Sequence, residues 1–198
     1  ADIKKAFAGA DYSLLAGCAP CQPFSTYSQR HASQADERWH LLQHFTRLVK
    51  EARPNFVPME NVPKLAKQAI FDEFVSALTE AGNEVHYSII KCADYGVPQQ
   101  RKRLVLLASR FGEIEMIPPS ISDKNYITVQ DAIGELAPIK AGAVNSNDAL
   151  HQASDLSPIN MARMRASKPG GTWRDWDDEL VASCHKKTSG KTYPGAYG

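Results

Sequence analysis

Cys21 is the residue in this sequence best suited to do chemistry. It sits in the run Pro20-Cys21-Gln22-Pro23-Phe24-Ser25, shortly after the apolar stretch Tyr12 to Gly17. A cysteine on a loop that leaves a strand faces substrate, and its thiolate is a strong nucleophile. Taken alone, a buried structural cysteine explains it equally well. Cys18-Ala19-Pro20-Cys21 is also a C-x-x-C, the pattern of thiol–disulfide enzymes. Those enzymes place the pair at a helix N-terminus, whereas a polar loop follows here. A zinc site needs four ligands, and no second C-x-x-C is present to complete one, so no metal is expected.

Two further clusters carry chemistry. Glu60-Asn61-Val62-Pro63 puts a carboxylate at the end of a second short strand, where it could pass a proton to a bound substrate. Read alone, it is a helix N-terminal glutamate favoured by the helix dipole. Gln99-Gln100-Arg101-Lys102-Arg103 places two guanidiniums in alternation at the entry to a strand, on one side of it, where they suit a phosphate or a base carbonyl oxygen. Read alone, that pair is a solvated strand start.

The elements that must hold these residues follow from periodicity. Tyr12 to Gly17 fits a buried strand of a parallel sheet, a pattern that a core helix shares. Residues 22 to 37 form a polar loop of a length that is functional or disordered. Leu41, Leu42, Phe45, Leu48 and Val49 share one helical face, and Pro54 ends that helix near Arg53. Asn55 to Met59 reads as a strand, against the objection that Pro58 cannot donate to a ladder. Leu65, Ile70, Phe71, Phe74, Val75 and Leu78 form a second helical face, closed by Gly82. Val85 to Lys91 and Leu104 to Ser109 are strands, joined through a loop over Asp94 to Gln100.

The order strand, helix, strand, helix, strand, strand favours an open α/β sheet, whose ligands bind beyond the carboxyl ends of strands. Adjacent parallel strands would bring Cys21 and Glu60 to one rim. After Arg110 prolines and glycines break the chain repeatedly, with short helices expected near Val129 to Leu136 and Pro158 to Ala166.

Composition sets only broad limits. The 198 residues suit one domain or one domain with an appendage. The 23 basic residues nearly balance the 22 acidic ones, so any basic footprint for nucleic acid is local. No apolar run is long enough to cross a membrane, no leader pattern opens the chain, and the four cysteines make no disulfide framework. These features read as an intracellular protein in a reducing compartment, with the six histidines as ordinary surface or interface residues.

Pro-Cys-Gln, then Glu-Asn-Val, then Gln-x-Arg-x-Arg, in this order and on these elements, resembles the C5-cytosine DNA methyltransferase family. Asp2-Ile3, the strand Asp11 to Gly17, Asp36-Glu37-Arg38 with Leu41, Arg53-Pro54 and Gly96-Val97-Pro98 resemble it too. The resemblance implies a partial Rossmann-like α/β sheet of a methyltransferase that uses S-adenosyl-L-methionine, over residues 1–110, followed by a less regular target-recognition region over 111–198. It implies a methyl transfer to C5 of a flipped cytosine in double-stranded DNA, in the cytoplasm of a bacterium with a restriction-modification system.

By the same resemblance Cys21 attacks C6, Glu60 hydrogen-bonds or protonates N3, and Arg103 and Arg101 hold the cytosine O2 and the backbone phosphate, in an order that could be exchanged. Asp2, Ile3 and Pro20 would contact the cofactor. Gln22, Ser25, Asn61 and Gln99 would line the substrate, and the loop Ser25 to Arg38 would close over the base.

One motif departs from the family. Phe7-Ala8-Gly9-Ala10-Asp11 looks like the Phe-x-Gly-x-Gly cofactor loop but lacks its second glycine and stands directly before the Cys21 strand, so it is read as a decoy. The genuine loop and the C-terminal segment are expected to be missing, with weak or no cofactor binding and no turnover by this chain alone. A thiol–disulfide oxidoreductase using Cys18 and Cys21, and a non-catalytic DNA-binding piece around residues 112–198, are the competing readings.

Overall fold

A computed structural model describes residues 3–19 and 40–186. A four-residue helix α1 (Ile3–Ala6) is followed by a turn, with the Ala10 amide bonded to the Phe7 carbonyl at 3.2 Å and Gly9 at φ 80°. This turn is what the glycine of the apparent cofactor motif makes. Helix α2 (His40–Ala52) turns Leu42, Phe45 and Val49 of the expected face toward the core, while Leu41 is exposed. It stops where Pro54 demands: Arg53 adopts φ 49° and its amide caps the Val49 carbonyl at 2.8 Å. That left-handed position normally belongs to glycine.

Strand β1 (Phe56–Asn61) leads into a 3-10 turn over Pro63–Lys67, then α3 (Ala69–Glu80). Leu65, expected on the second helix, lies instead on the 3-10 turn. Pro63 starts that turn and an extended Gln68 (φ −110°, ψ 137°) separates it from α3. Gly82, at φ 84°, ends α3 as expected, with its amide on the Thr79 carbonyl. Strand β2 (Glu84–Lys91), a 3-10 turn at Cys92–Tyr95 and strand β3 (Lys102–Ser109) complete the sheet.

The class is α/β, but the three strands are ordered β1-β3-β2 with β3 antiparallel to both neighbours. β1 and β2 run parallel, as the helical crossover between them dictates, and β3 returns between them. Its pairing also lengthens β1: Glu60 sits opposite Val105 and Asn61 opposite Leu104, so both belong to the strand rather than lying past it.

Tyr12 to Gly17 does not form the expected buried strand. It makes two isolated parallel bridges to β1, Leu14 with Phe56 and Gly17 with Met59. Pro58 explains the gap. Phe56 and Glu60 donate to Ser13 and Gly17, and Leu15 and Gly17 donate to Phe56 and Pro58. In that alternation the missing donor, an amide at position 58 toward Leu15, is the one proline lacks. Tyr12 and Leu14 are 69% and 56% exposed, so the segment is an edge of the described sheet and not part of its interior.

Alternation then decides the faces. Val57, Met59, Leu104, Leu106 and Ala108 point to the side covered by Leu42 and Val49 of α2, Leu65, and Phe71, Phe74 and Leu78 of α3. Glu60, Arg103, Val105 and Leu107 point to the opposite, half-buried side.

The chain divides into two compact units, meeting between Gly134 and Glu135. Residues just after the change of character at Arg110 belong to the first unit, held by their bonds to the turn before β3. Ser120 and Ile121 donate their amides to the Asp94 carbonyl, and the Tyr126 hydroxyl donates to the Asp94 carboxylate at 2.5 Å. A short helix α4 (Val129–Ile133) follows, ending at Gly134 rather than at Leu136. In the second unit α5 (Pro158–Ala166) has the expected bounds, and the Trp176 indole donates to the Ser167 hydroxyl at 3.1 Å.

Candidate active site

The rim where β1 ends and β3 begins is where the sequence motifs meet. Antiparallel pairing sets Arg103 two residues from Val105, the partner of Glu60. The two long side chains lie diagonally on one face, and the Arg103 Nε pairs with the Glu60 carboxylate through Oε1. A guanidinium bonded to a carboxylate is a charge-assisted contact, stronger than one between neutral groups. The Arg103 side chain is 15% exposed and that of Glu60 44%, so the arginine is packed beneath a carboxylate that still reaches solvent. A second nitrogen of Arg103 donates to the Lys102 carbonyl at 2.8 Å.

From the other side comes the segment that leads to Cys21. Its parallel bonds to β1 set Gly17 beside Met59, and the next residue, Cys18, therefore falls beside Glu60. The Cys18 Sγ donates to Glu60 Oε2 at 3.2 Å. Each carboxylate oxygen thus has its own partner.

Gly17 is required for close approach. A Cβ there would lie 2.3 Å from the Phe45 ring of α2, which packs in turn on Phe74 of α3. Only a residue without a side chain lets the ring and strand edge meet at that distance.

Asn61 holds the next step of the same segment. It is 2% exposed, its amide nitrogen donates to the Ala19 carbonyl at 2.9 Å, and its Oδ1 accepts from the Val62 amide at 2.9 Å. Asn61 was expected to line the substrate. Its side chain instead lies on the buried face, because the strand alternation that turns Glu60 outward turns Asn61 inward. In this arrangement it positions the backbone immediately before Pro20.

The remaining expected residues divide clearly. Gln99 and Arg101 lie in the exposed turn before β3, where the Arg101 amide bonds to the Gln99 carbonyl at 2.9 Å. Arg101 therefore precedes the strand and does not share the half-buried setting of Arg103. Ile3 is half-buried on α1. Asp2, Pro20, Cys21, Gln22 and Ser25 lie outside the described residues, as does the loop Ser25 to Arg38.

In the sequence Cys18 stands out only as half of a C-x-x-C. Its contact with Glu60 spans 42 positions and depends on a strand register that no local pattern reports. Among the described residues no helix is long and apolar enough to cross a membrane.

The family model for C-5 cytosine-specific DNA methylase matches residues 1–197. The chain is 45% identical over 190 residues to the Type II methylase M.HgiDII of Herpetosiphon aurantiacus, covering 94% of this chain and 53% of that protein. It is 34% identical over 171 residues to the Type II methyltransferase M1.HphI of Haemophilus parahaemolyticus, covering 84% and 45%. The chain spans about half the length of these curated relatives. Among solved structures it resembles a protein described as an E. coli prophage DNA modification methyltransferase, with a TM-score of 0.55 and 28% identity over 75% of this chain and 42% of that one.

Proposed function

The chain belongs to the C-5 cytosine-specific DNA methylase family, and on that premise we propose that it carries the base-attacking half of a bacterial DNA cytosine-5 methyltransferase of a restriction-modification system. The observation that supports this most is the rim itself. The segment Gly17 to Ala19, which delivers Pro20-Cys21, is locked in parallel register beside Met59, Glu60 and Asn61, and Arg103 grips Glu60 from the other side.

The chemistry follows from what cytosine lacks. C5 is too weakly nucleophilic to take a methyl group unaided. In this reading the Cys21 thiolate adds to C6, and the ring electron pair is pushed toward N3. Glu60 meets that charge with a hydrogen bond or a proton, in the way preorganised groups stabilise charge that develops during a reaction. C5 is then an enamine carbon and would take the methyl group as the bond between that methyl and the donor's sulfonium sulfur breaks, the electron pair leaving on sulfur. A base removes the C5 proton, the thiolate leaves C6, and the aromatic ring is restored.

The target cytosine must first leave its duplex, since its ring is inaccessible inside the stack. Arg103 both positions Glu60 and lies close enough to it to share the task of binding the base. Arg101 and Gln99, exposed on the turn before β3, suit phosphate or backbone contact. The stretch from residue 111 onward is assigned to target recognition.

S-adenosyl-L-methionine is the methyl donor this reading requires. Of the residues expected to hold it, Asp2 and Pro20 lie outside the described residues. Ile3 offers a half-buried apolar side chain with no polar group for the adenosine or the amino acid. That single contact does not make a binding site.

The test is covalent trapping. With the complete protein, cofactor and a duplex carrying 5-fluorocytosine at the target position, an adduct should form at Cys21, because fluorine cannot leave as the C5 proton does. Cys21→Ser should form none. Failure of the unsubstituted protein to form the adduct on a duplex that it otherwise methylates would overturn the covalent mechanism.

A further inference from the structure

We infer that Cys18 is a positioning residue for Glu60, its thiol fixing the carboxylate oxygen that the Arg103 guanidinium leaves open. The inference rests on the proposed role of Glu60 at the base and adds a residue to it.

Three observations carry it. The Arg103 Nε takes Oε1, so Oε2 is the oxygen left to meet a substrate, and the Cys18 Sγ lies 3.2 Å from it. The placement is not a chance of rotamers alone, because the backbone bonds Gly17 to Pro58 and Glu60 to Gly17 put Cys18 next in line along the strand. Finally, Cys18 is exposed, as is nearly half of the Glu60 side chain. The contact therefore stands at the open surface of the rim, not inside the core, and packing does not explain it.

The chemistry of a thiol suits the position. Its S–H is a weak donor and its sulfur a weak acceptor. It can donate to Oε2 while Glu60 is ionised and accept from it once Glu60 carries a proton. A carboxylate held at both oxygens cannot rotate about its terminal torsion, which is otherwise broad for glutamate. The proton-bearing oxygen is then presented in one plane during turnover.

The experiment compares Cys18→Ala, Cys18→Ser, Glu60→Gln and the double variant Cys18→Ala with Glu60→Gln in the complete protein. Methylation of a duplex substrate is measured across pH. Cys18→Ala should lower kcat about three- to tenfold, the range expected from one modest hydrogen bond, with KM for DNA within about twofold. Cys18→Ser should recover most of the loss, and the pH profile of Cys18→Ala should shift relative to the unsubstituted enzyme.

In the Glu60→Gln background the Cys18→Ala change should add nothing beyond the first loss, as expected for residues acting as a unit. If Glu60→Gln methylates normally, the underlying reading of Glu60 fails. If Glu60→Gln is inactive while Cys18→Ala is indistinguishable from the unsubstituted enzyme in kcat and pH profile, the role of Cys18 alone is overturned. A Cys18→Ala loss that Cys18→Ser does not recover, or that appears equally without Glu60, also overturns it.

Discussion

Replacing Asn61 with alanine should destabilise the first unit and weaken catalysis together. The side chain is 2% exposed and makes two hydrogen bonds, from its amide nitrogen to the Ala19 carbonyl and from the Val62 amide to its Oδ1, each 2.9 Å long. One such bond contributes about 0.5–1.5 kcal/mol net. Ala19 and Val62 are only partly buried, so water can reach them in part, and the expected loss is about 2 kcal/mol. With a urea dependence of about 2 kcal/mol per molar, the unfolding midpoint should fall by about 1 M at constant slope.

Circular dichroism is the suitable probe, since Trp173 and Trp176, two of the three tryptophans, belong to the second unit and would report on it. Amide exchange adds a local check: the Val62 amide should lose protection in Asn61→Ala but keep it in Asn61→Asp, which retains the acceptor. In the complete protein the loss of catalysis should appear in kcat, because the Ala19 carbonyl that Asn61 holds immediately precedes Pro20-Cys21 in the chain. A midpoint within about 0.2 M of the unsubstituted protein, or a Val62 amide equally protected in Asn61→Ala, would refute the view that this carboxamide ties the end of β1 to the segment before Pro20.

Two other perturbations test a close approach at the rim and a helix cap away from it. Gly17→Ala forces a Cβ to within 2.3 Å of the Phe45 ring and should cost about 1–3 kcal/mol in urea unfolding, an overpacking penalty that Phe45→Leu should partly relieve. At the capping box of α4, side-chain and backbone hydrogen bonds from Thr128 hold the Asp131 carboxyl below its ordinary value of 3.8. A depressed folded value means that the contribution is complete above the unfolded value and is lost as pH falls through the folded one. Carboxyl NMR should show Asp131 titrating low, and Thr128→Ala should return it toward its ordinary range.

Much of the site was legible in sequence because its parts are local. Pro-Cys-Gln, Glu-Asn-Val and Gln-x-Arg-x-Arg each depend on residues a few positions apart, and together they indicated the family. The helices were legible for a similar reason. A face such as Leu42, Phe45 and Val49 repeats along one short segment, and Pro54 and Gly82 mark the ends of α2 and α3 through their own backbone preferences.

Pairing across the sheet was not legible in the same way. That β3 returns antiparallel between β1 and β2 depends on which strands meet, and that meeting is decided by burial of the whole sheet face against α2 and α3. In sequence Pro58 argues against a strand, yet β1 forms around it because its missing amide points to the edge segment and not to β3. Register then separated residues that the motif had grouped together. It turned Glu60 outward to Arg103 and Cys18, and Asn61 inward to Ala19. Residue types thus identified the chemistry that Cys21 and Glu60 are suited to. Which side chains hold Glu60 was decided only when strands far apart in sequence came to lie side by side.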